Sequence, residues 1–162
     1  MPIKRKELVV MKKVYLAGPC DSENRTLMTK VAKVLRARGD MEVYCPFELK
    51  IPNAWDMSQE EWAEKVFKED IRNLNSADVF IMISVGREST AGTNWEQGYA
   101  FALDKWIYVF QITDKPTSLM TYCGADRFFN IENEFDLYRG LESFSFNPDV
   151  SLKKGFCSTV LT

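Results

Sequence analysis

Residues 78–85 have the sequence DVFIMISV, and this stretch decides the fold class. Nearly every position is apolar, without the alternation that a half-exposed strand would show. A continuous apolar run of this length predicts a β-strand buried on both faces, as a central strand of a parallel sheet is. We therefore expect the rest of the chain to supply helices that cover both faces of one sheet.

The sequence on either side of this run alternates between helical and strand patterns. Strands that alternate with helices pair in parallel through right-handed crossovers. We therefore predict an α/β fold, a single-domain doubly wound sheet of about five parallel strands with helices on both faces. The other predicted strands are residues 13–18, 41–46, 106–111 and 128–131, and the predicted helices are residues 24–38, 59–76, about 94–105 and a short segment at 116–120. No element is predicted beyond Asn133.

The chain has 162 residues, 46% of them hydrophobic and 27% charged. This length and composition fit one globular domain, placed at residues 13–162 after an N-terminal extension of residues 1–12. The net charge is −2 without a basic tract, so neither a nucleic-acid polymer nor a membrane is an expected partner. The N-terminal apolar run is too short for a signal peptide or a membrane span. We expect a cytoplasmic protein that binds small molecules.

The chain contains no histidine and four cysteines. Relays that depend on histidine are therefore excluded, and acid–base chemistry falls to carboxylates. The cysteines show no CxxC spacing, so we predict free buried thiols and no metal site. They are Cys20, Cys45, Cys123 and Cys157.

The loops after the first, second and central strands are the candidate binding segments, because ligands in doubly wound folds bind outside the carboxyl ends of the strands. Gly18 and Pro19 end the first strand. The loop that ends at Gly92 is rich in small residues and precedes a helix, so its backbone N–H groups could bind an anion. It contains neither a Walker motif nor GxGxxG.

Asp70 lies on the apolar side of the helix predicted at residues 59–76. At about 100° per residue it falls in the same stripe as Phe67 and Leu74. A carboxylate there costs on the order of several kcal/mol unless it is paired, hydrogen-bonded or protonated. Two interpretations stay open: a satisfied structural carboxylate, in the core or at a subunit contact, and a functional carboxyl with a raised pKa.

Glu96 follows the loop of small residues and is expected in the first turn of the next helix. The helix dipole there favours the charged form that a nucleophile needs. A glutamate in a first turn is also common, and Thr93 and Glu96 fit a capping box instead. Both interpretations stay open on spacing alone.

Motifs in three places resemble those of the nucleoside 2-deoxyribosyltransferase family. They are YLAGP at residues 15–19, VFKEDIRNLNSADVFI at 66–81 and GTNWEQGYA at 92–100, the last being the most specific. The resemblance covers roughly residues 13–129. It implies a flavodoxin-like sheet, no cofactor and a homo-oligomer whose sites are completed by a neighbouring subunit. It also implies cleavage of the N-glycosidic bond of a deoxynucleoside.

The resemblance assigns roles by position. Glu96 matches the nucleophile, Asp70 the proton donor and acceptor at the base, and Tyr15 the phenol that orients the nucleophile. Glu96 would attack C1′ as Asp70 protonates the departing base, and a second base would displace Glu96 with net retention. The implied partners are deoxynucleosides or deoxynucleotides and free nucleobases. Phe47 and Trp55 are candidates to stack on the base, although packing is the commoner role of such residues.

Thr90 departs from the family pattern. Most deoxyribosyltransferases carry an Asp at this place, whereas the related 2′-deoxynucleoside 5′-monophosphate N-hydrolases carry a Ser. A carboxylate repels a phosphate and a hydroxyl tolerates one, so Ser89, Thr90 and Arg127 are candidates for a phosphate pocket, with a surface or subunit-contact role as the alternative for Arg127. The preferred function is a transferase; a monophosphate N-glycohydrolase and a nucleotide-binding module without turnover are the alternatives.

Overall fold

The computed structural model describes residues 11–86 and 90–146, together with the backbone of residues 160–161. Two short 3₁₀ turns, Pro46–Glu48 and Ala54–Asp56, interrupt the segment before the second long helix. The elements in chain order are β1 (Lys12–Ala17), α1 (Arg25–Ala37), β2 (Met41–Tyr44), α2 (Gln59–Ser76), β3 (Val79–Ser84), α3 (Ala91–Ala102), β4 (Trp106–Gln111), β5 (Thr117–Ser118), α4 (Leu119–Cys123), β6 (Arg127–Asn130), α5 (Glu134–Ser143) and β7 (Val160–Leu161).

One parallel sheet of five strands, in the order β2-β1-β3-β4-β6, forms the centre of the fold. All six residues of β3 are buried, which confirms the interpretation of the apolar run as the central strand. This strand order is the flavodoxin-like one, with its switch point between β1 and β3. The predicted α/β class and doubly wound sheet are confirmed. The short strands β5 and β7 form a separate parallel pair.

Helices cover both faces of the sheet and bury a core on each. In the first core, α1 and α5 contribute Leu35 and Leu141. In the second core, α2 and α3 contribute Leu74 and Ala100. Because alternate residues of a strand point to opposite faces, Tyr15 of β1 belongs to the second core. The first core therefore supports the sheet from behind, and the second core adjoins the chemistry described below.

α2 begins with a capping box. The hydroxyl oxygen of Ser58 accepts from the Glu61 N–H at 3.1 Å, and the Glu61 carboxylate accepts from the Ser58 N–H at 3.0 Å. Satisfying these free N–H groups stabilises a helix start by roughly 1 kcal/mol. The predicted bounds of this helix are confirmed.

Two helices differ from the prediction. α3 begins at Ala91, earlier than predicted, because Thr90 is the N-cap and accepts from the Thr93 N–H at 3.2 Å. α5 forms in the tail, where no element was predicted. Its N-cap Asn133 accepts from the Asp136 N–H at 2.9 Å.

The described cysteines Cys20, Cys45 and Cys123 are free thiols, as predicted, but only Cys45 is buried. Cys157 lies outside the described residues. Of the helices in the described part of the chain, none has both the length and the apolar character that a membrane span requires.

Candidate active site

Tyr15 of β1 and Glu96 of α3 are joined by a hydrogen bond. The Tyr15 phenol donates to Glu96 Oε1 at 3.0 Å. Tyr15 is fully buried, and its ring stacks on Phe80 of β3 with centroids 5.8 Å apart. The sheet therefore holds the donor rigidly, and the structure brings together two of the residues that the resemblance assigns to the reaction.

Asp70 of α2 has a tyrosine partner of its own, which sequence reasoning missed. The Tyr44 phenol donates to Asp70 Oδ1 at 2.7 Å. One signal was available: Tyr44 is the last residue of β2, at the carboxyl edge of the sheet, and it alternates with the buried Val43. Alternation assigns a strand residue to a face, but it does not say which helix residue lies opposite.

The start of α3 is attached to the end of β1. The Thr93 hydroxyl donates to the Gly18 carbonyl oxygen at 3.2 Å, so the Thr90 hydroxyl donates to Thr93 Oγ1 at 2.8 Å. Gly18 also packs closely against α1, because a Cβ at this position would lie 2.6 Å from Met28 Sδ. These contacts bring Glu96, farther along α3, within reach of Tyr15.

Glu96 lies in the second turn of α3, because the helix begins at Ala91 and has no acidic residue in its first turn. The predicted stabilisation by the helix dipole and the capping box with Thr93 are therefore both wrong. Burial raises the pKa of Glu96 to about 7; the hydrogen bond from Tyr15 opposes this rise and the charge of Asp70 adds to it. Glu96 is a carboxyl that titrates near neutral pH.

Burial also raises the pKa of Asp70, while the hydrogen bond from Tyr44 lowers it and the charge of Glu69 raises it. The pKa of each phenol lies well above its ordinary value, mainly through burial, so Tyr15 and Tyr44 stay protonated and act as donors. The charge of Asp70 acts on Glu96, so the protonation of one carboxyl affects the pKa of the other. A state with one proton on the two groups would provide one acid and one carboxylate in the same cavity.

A cavity of about 330 Å³ between α2 and α3 has both carboxyl residues in its lining. The other lining residues are Phe67, Ile71, Leu74, Gly92 and Trp95. The Trp95 ring contacts Phe67 with centroids 5.8 Å apart and stacks on Tyr99 at 5.4 Å. Aromatic and aliphatic walls beside a few polar groups are typical of a small-molecule site.

Several aromatic residues that the sequence predicts in the core are exposed. Phe67 is 55% exposed and Trp95 is 51% exposed, although the helical period of α2 predicts burial for Phe67. The positions of Trp62 and Trp106, in a predicted helix and a predicted strand, also indicate core packing, yet each side chain is 44% exposed. The core assignment of these side chains is wrong. For those on α2 and α3, the described elements supply no layer over the outer side of the helices.

Some predicted substrate contacts lie at the cavity and others support it. Gly92 is in the lining. Thr90 is exposed just before it, where its hydroxyl caps α3. Gly18 and Pro19 are buried, and the observed contact of Gly18 is the one that supports α3. Ser89 lies outside the described residues.

The remaining predicted contacts are not brought to the carboxyls. Phe47 packs against the first core, and Trp55 is 99% exposed in the loop before α2. Arg127 is in register with Tyr108 of β4, and its guanidinium lies 5.8 Å from that ring. Tyr108 belongs to the first core, so Arg127 lies on the opposite face of the sheet from Glu96. Within this chain, Arg127 and Thr90 do not form one phosphate pocket.

No group of three or more acidic or cysteine side chains in residues 11–86 and 90–146 is arranged to hold a metal ion. The cavity lining contains two carboxyls, and each accepts a hydrogen bond from a phenol. Such a set can transfer a proton and form a covalent ester with a sugar carbon.

Comparisons with known proteins show which proteins the chain is similar to. The family model described as nucleoside 2-deoxyribosyltransferase matches residues 14–149. The structure of a 2-deoxyribosyltransferase from Bacillus psychrosaccharolyticus is 29% identical and covers 83% of this chain and 93% of its own, with a TM-score of 0.71. No curated protein matches the chain.

Two more distant structures share the fold. A CMP N-glycosidase, BcmB, from Clostridium botulinum is 18% identical over 82% of this chain and 100% of its own, with a TM-score of 0.58. A conserved protein from Enterococcus faecalis V583 is 18% identical over 82% of this chain and 87% of its own, with a TM-score of 0.54. The family match covers most of the chain, and the chain therefore belongs to the nucleoside 2-deoxyribosyltransferase family.

Proposed function

We propose that the protein transfers 2-deoxyribose from one nucleobase to another, in the salvage of deoxynucleosides. The observation that carries the proposal is the pair of carboxyls, Glu96 and Asp70, in the lining of one cavity. Each carboxyl accepts a hydrogen bond from a buried or half-buried phenol. Family membership and the likeness to the Bacillus enzyme support the same class of reaction.

In the first half-reaction, ionised Glu96 attacks C1′ of the deoxynucleoside. A bond forms between the glutamate oxygen and C1′ as the N-glycosidic bond breaks, and the bonding electron pair leaves with the base nitrogen. Asp70 delivers its proton to the base, which departs neutral. The transition state has oxocarbenium character, so the charge of Glu96 stabilises the positive sugar carbon.

In the second half-reaction, a different nucleobase attacks C1′ from the face that the first base left. The ester bond to Glu96 breaks, and Asp70 takes the proton that the incoming nitrogen loses. Two displacements at C1′ restore the original configuration. The enzyme returns to its starting state, with Glu96 ionised and Asp70 protonated.

The hydrogen bond from Tyr15 fits the role of Glu96 as the ionised carboxyl. The reaction needs the single proton on Asp70 and the charge on Glu96. Tyr15 donates to Glu96 and so favours its charged form, against the burial that raises its pKa to about 7. A nucleophile with a pKa near the working pH is partly ionised and still basic enough to attack.

One observation supports a second candidate function, that of a 2′-deoxynucleoside 5′-monophosphate N-glycohydrolase. Thr90 is exposed and uncharged next to Gly92 of the cavity lining. A hydroxyl there tolerates a phosphate that a carboxylate would repel. With water as the acceptor, the same two carboxyls would release free base and deoxyribose 5-phosphate. The non-catalytic alternative, a nucleotide-binding module, lacks such an observation.

We also propose that the protein is a homo-oligomer. Exposed Phe101 and Met120 line a second, mostly apolar cavity of about 400 Å³ that contains neither carboxyl residue. Together with the exposed Phe67 and Trp95, they give this side of the molecule an apolar surface of the kind that subunit contacts cover. Analytical ultracentrifugation tests this directly, and a monomer at micromolar concentration would refute it.

One chromatographic assay separates the candidate functions. The purified protein is given deoxynucleosides and deoxynucleoside monophosphates in separate tubes, each with and without a free acceptor base. A new deoxynucleoside that forms only with acceptor supports the transferase. Free base and deoxyribose 5-phosphate from monophosphates, regardless of acceptor, would establish the hydrolase instead. Ligand binding without turnover in every tube would leave the binding module.

A further inference from the structure

Tyr15 and Tyr44 are neighbours across the β1–β2 pair. They are direct register partners, and their ring centroids lie 5.4 Å apart with planes at 40°. Register partners in parallel strands point to the same face of a sheet, so both phenols reach the side covered by α2 and α3. There Tyr15 donates to Glu96 and Tyr44 donates to Asp70.

We propose that Tyr44 is a positioning residue for proton transfer: its hydrogen bond to Oδ1 holds the Asp70 carboxyl in one orientation and leaves Oδ2 to carry the proton. This inference rests on the proposed function, in which Asp70 protonates the departing base. Of the two phenols, the family resemblance assigns a role to Tyr15 and none to Tyr44.

A carboxyl that must deliver a proton in one direction needs such an anchor. The side-chain torsion χ2 of an aspartate is broad and roughly two-fold, so its two oxygens exchange places unless something distinguishes them. Tyr44, at 2.7 Å, makes Oδ1 an acceptor in both protonation states. No hydrogen bond from another described side chain reaches Oδ2. The proton of the neutral acid therefore lies on Oδ2.

The packing and the protonation state of Tyr44 both suit a fixed hydrogen-bond donor. Its ring packs against the second core and against Tyr15, so the phenol oxygen is held by the sheet while Asp70 is carried by a helix. Burial and the adjoining carboxylates keep its pKa well above the ordinary value. Tyr44 consequently stays a donor throughout the pH range in which the two carboxyls titrate.

Other titratable groups also face Asp70, and the test must separate them from Tyr44. Glu69 on α2 raises the pKa of Asp70. Glu96 on α3 interacts with Asp70 through its charge, and so do Tyr15 on β1 and Cys20 in the loop after β1. Among these groups and Tyr44, Tyr44 supplies the hydrogen bond that Asp70 accepts.

The variant Tyr44→Phe removes the phenol oxygen and keeps the ring. The lost bond favoured the ionised carboxylate, so its removal raises the pKa of Asp70, and the protonated acid persists to higher pH. We expect the limb of the kcat/KM profile that follows Asp70 to move up by about one pH unit, and the NMR titration below identifies that limb. Tyr15→Phe removes the bond to Glu96 and should instead move the limb that follows Glu96 upward.

A second readout compares leaving groups. For an ordinary deoxynucleoside, Tyr44→Phe should lower kcat by about tenfold or more, because the acid is misoriented. For a deoxyriboside with an activated leaving group that departs without a proton, the loss should stay within about twofold. A loss of equal size on both substrates, with unmoved pH limbs, would mean that Tyr44 acts only in packing and would overturn the proposal.

Tyr138→Phe is the matched control. Tyr138 donates to Glu134 Oε2 at 3.1 Å within α5, which packs on the first core. Losing this tyrosine–carboxylate bond should leave both limbs of the pH profile and both rates unchanged.

An NMR titration keeps the test independent of turnover. In protein labelled with ¹³C at aspartate carboxyls, the Asp70 signal is assigned by its loss in Asp70→Asn. The pH at the midpoint of its titration should rise in Tyr44→Phe and stay unchanged in Tyr138→Phe. Wild-type protein without turnover would count against the proposed function, whereas an Asp70 midpoint unchanged by Tyr44→Phe would refute the role of Tyr44.

Discussion

The Thr93 hydroxyl donates to the Gly18 carbonyl oxygen at 3.2 Å, and this bond ties the first turn of α3 to the end of β1. The same two elements carry Glu96 and Tyr15, whose own hydrogen bond is 3.0 Å long. Thr93 is only 4% exposed, so water does not readily replace it. The geometry of the nucleophile therefore depends on a contact outside the cavity.

Thr93→Val keeps the shape of the side chain and removes this donor. The Gly18 carbonyl then keeps only the weak bond from the Cys20 thiol at 3.4 Å. We expect a loss of about 1–3 kcal/mol in the free energy of unfolding, with a fall in kcat/KM because Glu96 shifts from Tyr15. Urea unfolding and steady-state kinetics measure the two effects.

Thr117→Val provides a control for this change. Thr117 is buried, and its hydroxyl has no hydrogen-bond partner within the described part of the chain. Replacing it with an apolar isostere should be neutral or stabilising. Equal destabilisation by both variants would show that the Thr93 bond has no special contribution.

Glu96→Gln should abolish capture of the sugar. Incubation of the wild-type protein with a 2-fluoro-2-deoxy-arabinosyl nucleoside should add the mass of the fluorosugar to the peptide that contains Glu96. The amide is a poor nucleophile, so the variant should show no adduct and a turnover reduced by about a thousandfold or more.

Glu64→Gln is the control for this experiment, because Glu64 lies on the exposed surface of α2 with only a 3.6 Å ion pair to Lys68. It should be labelled like the wild type. An adduct on a residue other than Glu96 would refute the assignment of the nucleophile.

Glu96 should also make stability depend on pH. Its pKa rises from 4.5 to about 7 on folding, so the folded state binds more protons than the unfolded state between these values. Stability therefore falls as the pH rises through this window, by on the order of 2–3 kcal/mol at pH 8. Glu96→Gln removes this penalty, so the variant should gain more stability relative to the wild type at pH 8 than at pH 4.

Glu48→Gln serves as the control of opposite sign. The hydrogen bonds from Arg36 lower the pKa of Glu48, so this carboxylate contributes stability that is present above its unfolded pKa and lost as the pH falls. Urea unfolding of both variants at pH 4 and pH 8 should show opposite trends. A pH-independent difference between Glu96→Gln and wild type would contradict the raised pKa.

Thr90→Asp tests whether this position faces the 5′ substituent of the substrate. Aspartate is a good N-cap, so α3 should keep its start. The added charge should lower kcat/KM for deoxynucleoside monophosphates by about tenfold or more, through repulsion of the phosphate, and leave turnover of deoxynucleosides unchanged or higher. Thr90→Ser, which keeps the hydroxyl and the cap, should change neither. Unaltered monophosphate turnover in Thr90→Asp would place the 5′ group elsewhere.

Local patterns predicted the parts of the fold that depend on neighbouring residues. The apolar run that contains β3 needs two covered faces, and the Ser58–Glu61 capping box determines where α2 starts. The start of α3 was misplaced because both Thr90 and Thr93 fit an N-cap. Spacing alone does not distinguish two threonines that lie one turn apart.

Contacts between distant segments account for what sequence reasoning missed at the site. The partnership of Tyr44 with Asp70 depends on where α2 crosses β2, and no periodicity contains that information. Arg127 was grouped with Thr90 by residue type, but the register of β6 against β4 puts it on the other face. Aromatic side chains usually pack in the core, which predicts burial for Trp95, whereas no described element covers it.

Because the two cores lie on opposite faces of the sheet, residues that can be changed for stability are separate from those that line the cavity. The sheet stands between the α1–α5 layer and the cavity, and successive side chains of each strand point to opposite faces. Leu35 and Leu141 can be repacked, and the surface of α5 recharged, to raise heat tolerance while the carboxyl–phenol pairs stay untouched. Changes meant to alter the accepted base belong on the opposite side, at Phe67, Ile71 and Trp95.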